Sequence, residues 1–438
     1  MIGLEIRFAS IWGLLLWASS LSGASFVYTE AVRFDAAAVR TGGERFPAGA
    51  ALHLIANGRN TPLVPGFAAS ADASVSFDGR RILFSGKLKA GDPWEIWEIA
   101  VSGGTPRRVA AASGDCITPF YLPADRVVFA RRAARGFELA VVPLAGGTVA
   151  PLTFVPGNSV VSDVLRDGRV LFESAHGSGF RDLYTVYTDG SGVETHRCDH
   201  RHDRSSGHEL ASGDIVFETG GKLARFTPAR AVEVPLTLPA GEFAGPMAEV
   251  SPGEWMVSYR SDPKVGFVLY RWKPGPAQPK DFVAANAVQP VVAEARQRPK
   301  IHPSSLGNRE GANTLCLSVY TSKQRIVAGS IAKVRVWAQD DRGTAVALGA
   351  APVETDGSFF VTTPADRPVR FELLDGSGKT VAGEKGWFWY RRGEQRVCVG
   401  CHAGPERAAE NVQPLTLLRS TEPVKLGLPV HTAAKGAK

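Results

Sequence analysis

Ser76-Phe77-Asp78-Gly79-Arg80-Arg81-Ile82-Leu83-Phe84 decides how this chain is read. Asp-Gly makes a tight turn, because glycine enters the left-handed backbone region without steric cost. Ile82, Leu83 and Phe84 then read as a buried strand that ends on an aromatic ring. The same grammar recurs in Leu122-Pro123-Ala124-Asp125-Arg126-Val127-Val128-Phe129 and in Arg166-Asp167-Gly168-Arg169-Val170-Leu171-Phe172. It recurs again in Ala211-Ser212-Gly213-Asp214-Ile215-Val216-Phe217 and in Ser251-Pro252-Gly253-Glu254-Trp255-Met256-Val257-Ser258-Tyr259. The closing aromatics stand at 84, 129, 172, 217 and 259, a period of 42 to 45 residues. Short strands and turns at that period are the signature of propeller blades.

Within each unit a second strand follows, as at 94–99, 138–142 and 182–187, and a tight turn such as Gly103-Gly104, Gly146-Gly147 or Asp189-Gly190 reverses the chain. Residues 52–64 read as half a blade. A closed ring leaves no sheet edge exposed, so this half-blade is expected to pair with late propeller strands. Five full units plus the half favour six blades over five. Between 274 and 303 the composition turns to Pro, Ala, Gln and charge, with little strand patterning. Beyond it, 314–320, 332–338, 358–363 and 369–374 alternate apolar and polar residues like strands. The fold class is mainly β: a propeller over 25–290, a bridging segment over 291–310, and a small β domain over 311–420. One short helix is expected at 405–411, and a frayed basic tail at 421–438.

The small domain ends in the second decisive stretch, Trp387-Phe388-Trp389-Tyr390-Arg391-Arg392-Gly393-Glu394-Gln395-Arg396-Val397-Cys398-Val399-Gly400-Cys401-His402. Cys398, Cys401 and His402 form C-x-x-C-H, the attachment pattern for a c-type haem. Two thiols at that spacing each add to one porphyrin vinyl group, and the adjoining imidazole is aimed at the iron. A zinc half-site would want a second Cys/His pair nearby, and none follows. A thioredoxin-like site would want a βαβ surrounding, which the flanks do not offer. The aromatic run 387–390 packs on the porphyrin, forms the last strand's core, or does both. Arg391, Arg392 and Arg396 either neutralise propionates or are surface charge.

Residues 1–24 carry Arg7, an apolar run to Trp17 and small residues ending at Ala24, the layout of a signal peptide. Haem attachment outside the cytoplasm agrees with that export signal, so a periplasmic or otherwise exported protein is expected, with no membrane span after cleavage. Across 438 residues the net charge is +7, but the basic residues are scattered, which excludes a nucleic-acid footprint. Cys116, Cys198 and Cys316 lie too far apart for a disulfide scaffold. Four of the nine His fall in 196–208, between the third and fourth units. Cys198, His200 and His208 there read either as ligands to a divalent metal such as zinc or to the haem iron, or as a solvated polar loop. Met247 and Met256 are the other axial-ligand candidates. No Walker loop, G-x-G-x-x-G after a strand or G-x-S-x-G elbow occurs.

Together the repeat, Pro352-Val353-Glu354-Thr355-Asp356-Gly357-Ser358-Phe359 and the run Gly393-Glu394-Gln395-Arg396-x-Cys-x-Gly-Cys-His resemble hydrazine synthase alpha subunit-like proteins. The resemblance implies a TolB-like, WD40-related propeller and a middle domain holding one covalent haem. Cys398 and Cys401 would be its thioether points, and His402 would match the family histidine. The family enzyme's second haem domain has no counterpart in these residues, so hydrazine formation is not carried over. The expected function is a mono-haem cytochrome in electron transfer or a redox complex, with a redox protein as partner. The alternatives are a haem enzyme acting on a small nitrogen or oxygen species, and a binding propeller with a structural haem.

Overall fold

The structure is a computed structural model that describes residues 24–175, 180–197, 202–229, 233–400 and 412–427. The leader before Ala24, Cys198, His200, Cys401, His402, the helix expected at 405–411 and the tail beyond 427 lie outside the described residues.

Six four-stranded antiparallel sheets form the blades. Blade 2 shows the pattern: Ala69–Val75, Arg81–Lys87, Glu95–Ala100 and Arg107–Ala110 pair in chain order from the axis outward. Blades 3 to 6 begin with Cys116–Leu122, Val160–Val164, Ser205–Glu209 and Glu242–Ser251. Blade 1 is composite. Phe26–Glu30, Ala51–Ala56 and Arg59–Pro62 come from the N-terminal side, and Ala287–Val292 supplies the innermost strand. The half-blade does not pair with the late strand directly: Phe26–Glu30 lies between them and pairs with both Ala51–Ala56 and Ala287–Val292, and the innermost strands neighbour one another all the way round.

Phe84, Phe129, Phe172, Phe217 and Tyr259 occupy the second strands of blades 2 to 6, all buried. Burying each such ring stabilises by about 1.5–3 kcal/mol. The Asp-Gly turns work as expected. In blade 2, Ser76 Oγ donates to Asp78 Oδ1 at 2.6 Å and accepts from the Arg81 amide at 2.9 Å, while Gly79 has φ 71°.

Two features differ from the sequence reading. The stretch from 274 to 303 contains two propeller strands, Asp281–Ala285 and Ala287–Val292. Pro290 is tolerated because the pairing with Phe26–Glu30 is irregular beside it, where no ladder N–H is needed. The innermost strands lack a continuous apolar run, with Ala69–Val75 reading Ala-Ser-Ala-Asp-Ala-Ser-Val, and each carries a break in register. At those breaks Asp72, Thr118, Ser206 and Gln289 adopt φ of 50° to 58°.

The small domain has two sheets. One runs Ala345–Pro352, Lys333–Gln339, Val369–Leu374, Thr380–Gly383 in spatial order. The other runs Phe359–Pro364, Gly311–Cys316, Gln395–Cys398, with the last strand parallel to its neighbour. Both contribute to one core that includes Val334, Val336, Phe359, Val361, Leu373 and Tyr390. After Val292 the chain crosses the propeller face bearing the Asp-Gly hairpins. Arg296 N donates to Phe77 O at 2.9 Å, and Lys300 N to Arg166 O at 3.0 Å. A side chain on Gly79 would strike the backbone of this crossing segment at Glu294 and Ala295. His302 then stacks on Tyr187 with ring centroids 3.8 Å apart, and Ser304 Oγ donates to Asp189 Oδ2 at 2.7 Å. No helix among the described residues is long and apolar enough to cross a membrane.

Candidate functional site

Gln395–Cys398 lies at the edge of the three-stranded sheet, and its last residue stands in register beside Cys316. The backbone continues pinned to the same sheet. Leu317 N donates to Cys398 O at 2.9 Å and Ser318 N to Val399 O at 3.3 Å. Gly400 then passes so close to the Ser318 and Thr321 carbonyls that a Cβ would collide with both. Glycine at the second x of C-x-x-C-H therefore follows from a close backbone approach. Burial raises the Cys398 thiol; Arg396 opposes the shift, while Glu384 and Glu394 add to it. A neutral, half-buried thiol at a strand end fits addition across a vinyl group, which consumes an S–H. The described part of the motif is thus compatible with covalent haem attachment.

The strand's orientation is set by a buried ion pair. Arg396 donates to Glu394 Oε1 through Nε at 2.9 Å and a terminal nitrogen at 2.6 Å, and to the carbonyls of Trp389 and Val193 at 3.2 and 3.3 Å. Its guanidinium lies 4.3 Å from the Tyr390 ring centroid. Burial works against the Arg396 charge, but Glu394 and its neighbours outweigh it and leave the group raised. Glu394 also accepts from the amides of Arg391 at 2.7 Å and Gly192 at 3.1 Å. This pair joins Gln395–Cys398 to blade 4. The sequence reading assigned Glu394 no role, although Glu394 and Arg396 are two apart and so share a strand face.

The aromatic run divides between the two cores. Trp389 is fully buried in the propeller cluster, near Phe154 and Phe172, and Tyr390 is fully buried in the small-domain cluster. Arg391 and Arg392 both approach Asp366, at 3.4 and 3.5 Å. Arg396 is thus an internal partner rather than surface charge.

His208 is not in a loop. It sits on Ser205–Glu209, the innermost strand of blade 5, with Nδ1 3.0 Å from Asp163 Oδ2. Burial lowers the imidazole, but the charge and hydrogen bond of Asp163 outweigh it and leave His208 raised. His196 is buried against Phe226, with ring centroids 5.3 Å apart. Its amide bonds to Leu183, at the start of Asp182–Val186, whereas the turn touched by Trp389 follows the end of that strand. No group of three His, Cys, Asp or Glu suited to a metal occurs among the described residues. Met256 lies in the core shared by blades 1 and 6, and Met247 lines the propeller axis. Neither packs with Cys398. Cys116 is buried in a core shared by blades 2 and 3, its thiol pushed up to about 12 by burial.

The class defined by these features is a six-bladed β-propeller followed by a small β domain whose last strand leads into C-x-x-C-H. Residues 318–403 match the hydrazine synthase alpha subunit middle domain family. In fold the chain is hydrazine synthase alpha-like. It superposes on a chain of Kuenenia stuttgartiensis hydrazine synthase with TM-score 0.76 and 17% identity, over 91% of this chain and 71% of that one. TolB from Acinetobacter baumannii overlaps 60% of this chain and 66% of its own, at 14% identity and TM-score 0.44. The putative TolB from Agrobacterium tumefaciens overlaps 58% and 88%, at 15% identity and TM-score 0.43. No curated protein sequence matches the chain.

Proposed function

We propose that this chain is an exported mono-haem c-type protein working in electron transfer, as a subunit of a redox complex. The observation that carries the reading is the position of Cys398: a half-buried thiol ending an edge strand held in register against Gly311–Cys316, with Cys401 and His402 following in sequence. Cys398 and Cys401 would hold the porphyrin, and His402 would be the axial ligand. Bound there, haem supplies one-electron redox chemistry at a potential set by ligation, burial and nearby charge. The Glu394–Arg396 pair fixes the strand against the propeller. A redox protein is the expected partner, and similarity to a hydrazine synthase chain supports membership of a complex.

The same similarity favours a second reading, a haem enzyme acting on a small nitrogen or oxygen species. Export with a haem-maturation system tests the central claim. The purified protein should keep its Soret band through acid-acetone extraction and give a c-type pyridine haemochrome, and Cys398→Ala with Cys401→Ala should abolish both. Freely extractable porphyrin, or none, would refute it. A six-coordinate spectrum indifferent to small ligands favours electron transfer; an open, ligand-binding iron favours the enzyme.

A further inference from the structure

The six innermost strands enclose a chamber of about 430 Å3 on the propeller axis. Phe34, Val39 and Arg45 line one end, where Arg45 donates twice to Asp72 at 2.7 Å. Glu294, Ala295, Arg296 and Gln297 of the crossing segment line the other. Three backbone bonds hold that segment down: Ala293 N to Ser25 O at 2.7 Å, Arg296 N to Phe77 O at 2.9 Å and Lys300 N to Arg166 O at 3.0 Å. Residues 294–298 are all exposed, so little apolar burial adds to those bonds. A strand of backbone held this way opens at low cost.

Arg296 is the charged link between the segment and the ring. Its guanidinium lies 4.8 Å from the Phe77 ring centroid and is in ion-pair contact with no carboxylate among the described residues. Asp163, on the innermost strand of blade 4, attracts it from beyond contact. That carboxylate is already engaged. Its Oδ2 lies 3.0 Å from His208 Nδ1 and accepts from the Glu209 amide at 3.0 Å, and its Oδ1 accepts from the Val164 amide at 2.7 Å. His208 in turn feels Asp163, Arg296 and Glu249. The remaining charges on this wall have other partners. Arg166 faces Glu209 at 3.3 Å, Glu173 faces Arg181 at 3.7 Å, and Glu249 accepts from the Ala211 amide at 2.6 Å. Glu294 moves with the segment itself.

We propose that protonation of His208 releases the crossing segment and opens this end of the chamber. With the imidazole neutral, Nδ1–H donates to Asp163, and the carboxylate's charge remains to attract Arg296. A proton on Nε2 cancels that charge locally and sets a second cation near the guanidinium. The segment then loses its attraction to blade 4 and keeps only its backbone bonds and the Phe77 contact.

Two effects on His208 have opposite signs. Asp163 outweighs burial and raises the imidazole above its ordinary 6.5, so the folded chain holds this proton more tightly than the unfolded chain does. Arg296 lowers it, so the closed segment holds the proton less tightly than an open one. By linkage the open form gains population as pH falls through the His208 value. This inference does not rest on the haem reading.

Hydrogen exchange of the full chain, corrected for the intrinsic pH dependence of amide exchange, tests it. From about pH 8.5 to about pH 5.5 the protection of the Ala293, Arg296 and Lys300 amides should fall about fivefold or more, while Arg81–Lys87 keeps its own. His208→Gln should abolish that pH dependence, and so should Arg296→Met. In Arg296→Met the His208 imidazole, followed by NMR, should titrate at higher pH, because a like charge has gone. Protection independent of pH in the wild type, a pH dependence that survives either substitution, or an unmoved His208 titration would overturn the proposal. If His208→Gln does not fold, Arg296→Met, at an exposed position, carries both tests. Haem content is read separately by its spectrum, so failure of either reading leaves the other standing.

Discussion

Trp389 Nε1 donates a hydrogen bond to the carbonyl oxygen of Gly190 at 2.8 Å, with the indole fully buried. The residue belongs by sequence to the small domain and by packing to the propeller core. Its neighbour Tyr390 packs the other way. Consecutive residues of an extended chain point to opposite sides, so two adjacent aromatics anchor two cores at once.

Trp389→Ala should therefore destabilise by about 3–5 kcal/mol, as large aromatic truncations in cores do. Trp389→Phe should cost nearer 1 kcal/mol, reflecting mainly the lost bond to Gly190. Denaturant titration measures both. Limited proteolysis should show faster cleavage of the crossing segment 294–307 in the alanine variant. Unchanged cleavage would show that the indole does not hold the two parts together.

Glu394→Gln leaves the Arg396 guanidinium buried without its carboxylate, at a cost of about 3–5 kcal/mol. Adding Arg396→Met should recover part of that loss, because no uncompensated charge then remains. A double-mutant cycle on urea midpoints is the measurement. Strict additivity would mean that the pair is not coupled.

At Gly400 the expected effect is local. Gly400→Val forces the chain off the Ser318 and Thr321 carbonyls and should cost about 1–3 kcal/mol through overpacking. Covalent haem yield should fall while the far-ultraviolet spectrum of the propeller is kept. Normal haem content in this variant would show that the close approach does not position the motif.

The Arg45–Asp72 pair predicts an acid limb. Burial raises the Asp72 carboxyl, but Arg45, Ser85 and Gln289 together outweigh it and hold it below its ordinary 3.8. A depressed carboxyl stabilises the fold above the unfolded value and loses that contribution as pH falls through the folded value. Asp72→Asn should thus be less stable than wild type at neutral pH, and the gap should narrow below about pH 4. Melting temperatures across that range decide it. A gap that stays constant would rule out the carboxylate as its source.

The second strands were legible because each must bury an apolar run between neighbouring blades, as Ile82-Leu83-Phe84 and Val170-Leu171-Phe172 do. The innermost strands were not. Facing a chamber, Ala69–Val75 and Ala287–Val292 carry Ala, Ser, Asp, Gln and Pro, and their register breaks interrupt the period-two pattern. In the small domain, the strand at 369–374 was found, whereas Ala345–Pro352 was missed because most of its side chains are exposed. The strand expected at 314–320 is Gly311–Cys316, since Leu317 and Ser318 turn to meet Cys398 and Val399. The C-x-x-C-H pattern was plain from spacing alone. Its anchoring was not, because the Glu394 contact to Gly192 joins residues 202 positions apart.

Blade 1 also dictates a sequence of events. Its innermost strand, Ala287–Val292, is contributed by the chain long after the three strands it completes. In order from the N-terminus, blades 2 to 6 have every strand in hand before blade 1 does, and the ring stays an open arc until Val292 is available. Cys398 emerges later still. Every strand of the propeller therefore precedes the thiol that ends Gln395–Cys398. Trp389 has its complete docking surface upstream of it, and C-x-x-C-H comes after both.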